Sequence, residues 1–145
     1  MSGPTIRVVS SGERSTDTPQ TPGLTREVAF DSRNPDARML SGFVSTVQPG
    51  AATAAHHHGD QETILYVLSG RARFRWGAQL QHKTEAGVGD FVFIPAGIIH
   101  QEINASVEEA TSWVVVRSDP NPIVVNLPEL GDYAESPAID YTGAE

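Results

Sequence analysis

The chain alternates between short runs of β-branched and aromatic residues and clusters of turn-forming residues. The apolar runs cover 24–30, 39–47, 63–68, 72–76, 91–94, 98–103, 112–116 and 123–125. Between them stand Asn34-Pro35-Asp36, Pro49-Gly50, Gly87-Val88-Gly89-Asp90, Pro95-Ala96-Gly97 and Asp119-Pro120-Asn121-Pro122. No window of helical length keeps apolar residues at a 3.6-residue period without a glycine or proline interrupting it. Many short strands closed by turns predict an all-β sandwich or barrel. Two runs, 64–68 and 91–94, are apolar on both faces. Such strands need cover outside as well as inside, from a second sheet or from another subunit. A homodimer is therefore expected.

A length of 145 residues fits one domain with one core. Residues 1–23 are rich in Ser, Thr, Pro and Gly, which predicts a flexible N-terminal arm. The alternative is an arm that adds a strand to a neighbouring subunit. The barrel is expected over 24–126. Residues 127–145 hold five carboxylates and no Lys or Arg, and read as a solvated acidic tail.

Ten basic residues against eighteen acidic ones give a net charge of −8. A surface so poor in cations does not suit phosphate backbones, so no nucleic-acid partner is expected. No run approaches the ~18 apolar residues of a membrane span. No secretory leader is visible, so the cytoplasm is the expected compartment. The absence of cysteine excludes disulfides, thiol nucleophiles and thiolate metal sites.

The chemistry concentrates in the histidines. Four of the five fall in two places, His56-His57-His58 and His100. In an extended chain residues i and i+2 share a face, so His56 and His58 point together and His57 points away. Two imidazoles on one face begin a divalent metal site. Glu62 follows across Gly59-Asp60-Gln61, which can turn the chain. His100 begins a strand after the Pro95-Ala96-Gly97 turn, and an antiparallel barrel can set that strand beside the first histidines. Three neutral imidazoles and one carboxylate suit one divalent transition metal per chain, Fe, Mn, Ni, Co or Zn.

These residues resemble the two motifs of the cupin superfamily. The first is matched by Gly50, His56, His58, Glu62 and Gly70, and the second by Gly89, Pro95, Gly97, His100 and Asn104. The resemblance implies a double-stranded β-helix, or jelly-roll, barrel with a metal inside, ligated by His56, His58, Glu62 and His100. One spacing departs from the pattern. Seven residues separate Glu62 from Gly70 where six are usual, and counting back from Gly70 puts Thr63 in the carboxylate position. Strand alternation would then turn Thr63, Leu65 and Val67 inward and Glu62 outward. A β-bulge near Glu62 would keep it as the ligand. Otherwise the site has three histidines with Thr63 or water in the gap, or takes Gln61. Glu102 shares a face with His100 and is either an inward acid beside the metal or a rim residue. Thr63, Leu65 and Glu102 are the candidate pocket residues. Trp76 and Trp113 read as core or interface aromatics, and His82 as an exposed loop residue.

The resemblance implies a metal-dependent protein for a small organic molecule. It is expected to be an enzyme, of dioxygenase or of isomerase, lyase or cyclase type. The alternative is a non-catalytic cupin that binds or senses a small ligand.

Overall fold

The computed structural model describes residues 3–34 and 37–143. Among the described residues eleven strands carry the fold: β1 Leu24–Phe30, β2 Ser41–Val47, β3 His56–His57, β4 Thr63–Ser69, β5 Arg71–Trp76, β6 His82–Gly87, β7 Phe91–Ile94, β8 His100–Asn104, β9 Thr111–Arg117, β10 Val125–Asn126 and β11 Ile139–Asp140. One sheet has the order β1-β2-β9-β4-β7, the other β10-β3-β8-β5-β6-β11. Every pairing is antiparallel except that of β11 with β6. The sheets face each other as the expected jelly-roll barrel.

Alternation along the strands builds the core. Leu24 and Val28, Phe43 and Val47, Leu65 and Val67, Ala72 and Phe74, and Trp113 and Val115 point inward and are buried. Trp113 lies fully buried against Phe74, 5.9 Å between ring centroids.

The motif glycines serve the turns. Gly97 takes φ 74° in the turn leading to His100. Gly70, at φ 75°, joins β4 to β5, and a Cβ there would lie 2.2 Å from Thr111 Oγ1, so only glycine fits. Asn104, which ends the second motif, is structural. Its Nδ2 donates to the carbonyls of Val47 and Glu109, and its Oδ1 accepts from Ser106 N and Thr111 Oγ1.

Several sequence expectations are adjusted. The 39–47 run begins as a strand only at Ser41, and the 98–103 run only at His100, because the turn residues before each hold the chain out of the ladder. Residues 82–87 form β6, so His82, expected on an exposed loop, begins a strand. His82 is half-buried, its ring 5.5 Å from Trp76 and 5.6 Å from Tyr141. The N-terminal segment folds back on its own β1. Ser15 bridges Val28, Gln20 bonds the backbone of Arg26 in both directions, and Arg33 ties to Asp17. The acidic segment is also engaged: β11 extends the second sheet, and Tyr141 packs on Trp76 at 5.5 Å. Of the turn Asn34-Pro35-Asp36 only Asn34 lies within the described residues, and Glu145 of the tail lies outside them. No helix among the described residues is long and apolar enough to cross a membrane.

Both predicted two-faced strands lie in the first sheet. Their outer faces remain uncovered: Ile64, Tyr66 and Leu68 on β4, Phe91 and Phe93 on β7, and Val116 on β9 are exposed. Ile64 stands opposite both Phe93 and Val116, and Tyr66 opposite Phe91, so the patch is continuous across three strands.

Candidate metal centre

His56 and His100 are cross-strand partners on β3 and β8. His58 follows at the end of β3, on the same face as His56. All three rings are buried, with centroids 4.4–5.0 Å apart, and one ring nitrogen from each lies within 4.8 Å of the others. His57 points elsewhere: its Nδ1 accepts from Gly59 N, and it pairs with Val125.

The ring orientations are fixed from behind. His56 Nδ1 contacts the carbonyl of Ala54 at 2.8 Å, His58 Nδ1 that of Ile123 at 2.7 Å, and His100 Nδ1 that of Ile98 at 3.0 Å. A carbonyl oxygen only accepts, so each Nδ1 carries the proton and each Nε2 presents a lone pair to the barrel interior. Burial pushes the pKa of His56 down to about 4 and lowers that of His58 as well, where the Arg117 charge adds to the effect. Both rings therefore stay neutral at physiological pH, the form a metal requires.

Glu102 is the buried carboxylate of this cluster. It lies two residues after His100 on β8, its Oε2 3.6 Å from His56 Nε2 and its Oε1 3.7 Å from His100 Nε2. Its backbone N–H donates to Thr53 Oγ1. Its side chain is buried among the imidazoles and does not lie at the rim.

Glu62 is not brought to the cluster. It is exposed, and its backbone N–H is held by Ser118 Oγ. No bulge lies beside it: the irregularity of β4 against β9 falls between Val67 and Ser69, at the other end of the strand. The start of β4 is therefore regular, and alternation from Val67 and Leu65 carries Thr63 inward and leaves Glu62 outward. Gln61 is buried, but its amide is engaged with Asn121 O and Ile123 N. It anchors the loop whose Ile123 carbonyl orients His58.

Arg117, which the sequence did not single out, completes the surroundings. Its Nε donates to Thr63 Oγ1 at 3.0 Å, and its Nη2 lies 3.3 Å from His58 Nε2. Alternation along β9 could have flagged it, since it shares a face with Trp113 and Val115. Among the described residues, His56 Nε2, His100 Nε2, Glu102 Oε2 and Arg117 Nη1 are buried without a hydrogen-bond partner. Seven other buried side-chain polar atoms among the described residues also lack a partner, but His56 Nε2, His100 Nε2 and Glu102 Oε2 lie together, where a bound group would satisfy them. Donors about 2.1 Å from a tetrahedral ion stand roughly 3.4 Å apart, and the three histidine nitrogens, all within 4.8 Å of one another, could be drawn to one ion. The residues present therefore fit a metal.

Beside His100 lies a cavity of about 250 Å³, lined by Phe74, Trp76, Val92, Ile94 and Ile98 among others. Thr63, Leu65 and Glu102 do not line it. They are buried in the interior, and Leu65 belongs to the hydrophobic core.

Three comparisons bear on this arrangement. Among solved structures, the chain is similar to the polyketide cyclase RemF from Streptomyces resistomycificus, at 23% identity and a TM-score of 0.69 over 85% of this chain and 86% of that one. It is similar to a conserved protein with a double-stranded β-helix domain from Klebsiella pneumoniae, at 22% identity and a TM-score of 0.64 over 84% and 97% of the two chains. It also resembles an oxalate decarboxylase variant from Bacillus subtilis, at 22% identity and a TM-score of 0.65, covering 83% of this chain but 35% of that one. These likenesses establish the fold. No curated protein sequence matches the chain. The family model described as the cupin domain matches residues 43–117, just over half of the chain, from β2 through both histidine motifs to β9, and the chain belongs to the cupins.

Proposed function

We propose that this cupin binds one divalent transition metal through His56, His58, His100 and Glu102, and acts as an enzyme on a small organic molecule held in the adjoining apolar cavity. The observation that carries the reading is the set of three buried imidazoles. Each is fixed by a backbone carbonyl at Nδ1, and their Nε2 atoms converge beside a cavity large enough for an organic ligand. When bound, the metal supplies Lewis-acid polarisation of a ligand oxygen. Phe74, Trp76, Val92 and Ile94 would exclude water and hold an apolar body. Glu102 would offset part of the metal's charge.

Arg117 beside His58 makes the centre more positive. A cationic environment strengthens a Lewis acid and disfavours removal of an electron from the metal. This supports the isomerase, lyase or cyclase type over the dioxygenase. A polyketide cyclase among the similar folds is compatible with that choice. Zn(II) and Mn(II) suit the donor set, and Mn(II) centres are described for the oxalate decarboxylase of Bacillus subtilis. The apolar outer face of β4, β7 and β9 supports a homodimer, since a charge-free patch is complementary to its own copy.

The test is elemental analysis of the freshly purified protein, followed by incubation of the metal-loaded form with β-dicarbonyl and hydroxy-acid substrates. One ion per chain and a new product without oxygen consumption are expected. Oxygen uptake stoichiometric with product would assign the dioxygenase type instead. Saturable binding without product would assign the non-catalytic alternative.

A further inference from the structure

The cavity beside His100 has a polar group at each end and an apolar middle, and the cross-strand register places all three. On the second sheet His100 of β8 stands opposite Trp76 of β5, and Phe74 of β5 stands opposite Thr84 of β6. β8, β5 and β6 are consecutive in that sheet, so Thr84 lies two strands from His100. At the usual strand spacing that is about 10 Å across the sheet, with a further offset of two residues along it. Phe74 and Trp76 line the cavity between these two ends. Val92 and Ile94, from β7 of the other sheet, add aliphatic lining.

Among the described residues, His100 is the one ionisable side chain that lines this cavity. Glu102 shares the inner face but does not line it. Arg73, Arg75, Lys83 and Glu85 alternate with the lining residues along β5 and β6 and so belong to the other face of the sheet, where the first three line a separate cavity. A formal charge on the body of a ligand would therefore lose its water and find no counter-ion, which is strongly unfavourable. Thr84 is the exception to the apolar lining at the far end. Its hydroxyl is engaged by no other described residue, and it can donate to or accept from a ligand oxygen.

We propose that the molecule taken at this site is an uncharged aromatic of two fused rings with an oxygen function at each end, and that Thr84 recognises the end remote from His100. The rings would lie against Phe74 and Trp76, whose faces favour flat apolar partners. At about 250 Å³ the cavity lies just below the usual range for drug-sized ligands, roughly 300 to 1,000 Å³, which suits two fused rings. The near oxygen rests on the proposed metal site, whereas the role of Thr84 and the exclusion of charge do not.

The probes are 2-naphthol, 2,6-dihydroxynaphthalene and 6-hydroxynaphthalene-2-sulfonate, titrated calorimetrically into the Zn(II)-loaded and the metal-free protein. In the Zn(II) form, wild type should bind the diol at least threefold more tightly than 2-naphthol and at least tenfold more tightly than the sulfonate. Thr84→Val, which replaces the hydroxyl by a methyl group, should keep its zinc content and bring the ratio of diol to 2-naphthol affinity close to one. Should Thr84→Val fail to fold, Thr84→Ala takes its place with the same expected ratio. Equal or tighter binding of the sulfonate by wild type would overturn the proposal, as would a diol preference that survives loss of the hydroxyl, or no binding of any probe. If wild type takes up no zinc, the metal reading fails separately. A Thr84-dependent preference for the diol in the metal-free protein would then still sustain the inference, and its absence there would end it.

Discussion

Thr63 and Arg117 stand directly opposite each other on β4 and β9, and the threonine hydroxyl accepts a 3.0 Å hydrogen bond from the arginine Nε. The inward position where a carboxylate could have joined the histidines thus holds a neutral acceptor for a cation. The acid arrives instead from β8, as Glu102, on the strand of His100.

This transposition separates three variants by metal titration. Glu102→Gln should lower metal affinity by about tenfold or more through loss of a charged donor. Glu62→Gln should leave affinity unchanged, because its side chain lies outside the barrel. Thr63→Val should cost little metal affinity while freeing Arg117 of one partner. Full metal affinity in Glu102→Gln would remove that residue from the donor set.

Histidine replacement tests the shared face. His56→Ala, His58→Ala and His100→Ala should each lose roughly two orders of magnitude in metal affinity. His57→Ala should bind as wild type, since that ring engages Gly59. Elemental analysis after dialysis reads the outcome, and a His57 variant that loses metal would contradict the strand register.

Metal should also stabilise the fold, because the three rings converge only in the native state. At a free concentration one hundred times Kd the gain is about 2.7 kcal/mol. For a chain of this size that corresponds to a rise in Tm on the order of 8 °C. Differential scanning calorimetry with and without a chelator measures it, and an unchanged Tm would speak against ligation by the folded barrel.

The exposed apolar patch predicts self-association. Wild type should sediment as a dimer at tens of micromolar, and the paired change Ile64→Glu with Phe93→Glu should give a folded monomer. These side chains stand opposite each other and point out of the barrel, so the core is untouched. A monomeric wild type would refute the dimer.

Asp31 gives a pH-dependent contribution outside the site. Burial works against its charge, but Arg33 supplies a backbone N–H, the guanidinium Nε and an ion pair at 2.9 Å, and the pKa is lowered on balance. A carboxylate with a depressed folded-state pKa stabilises above its unfolded value of about 3.9, and the contribution is lost as pH falls through the folded pKa. Asp31→Asn should therefore cost roughly 1–2 kcal/mol at pH 7. The deficit should shrink below about pH 4. A deficit constant from pH 7 to pH 3 would show that charge plays no part.

The sequence by itself determined the all-β class, most strand positions and the three histidines. Alternation and turn residues are local properties, and His56, His58, Pro95, Gly97 and His100 act through backbone geometry a few residues long. Gly70 likewise reveals a turn that only glycine can make. Only the tertiary structure decided the acid and the cation. Whether Glu62 or Thr63 faces inward depends on where β4 breaks register against β9, and that break sits at Val67–Ser69, invisible in the spacing alone. Glu102, midway along β8, and Arg117, at the end of β9, are ordinary charged residues until the two sheets close. Closure buries both beside the same imidazoles, and burial without a full set of partners is what gives them chemical meaning. The engaged terminal segments follow the same rule. The Ser/Thr-rich arm and the acidic tail lack a pattern of their own, and are ordered by the free edge of β1 and by the β6 edge with its Trp76–His82 surface.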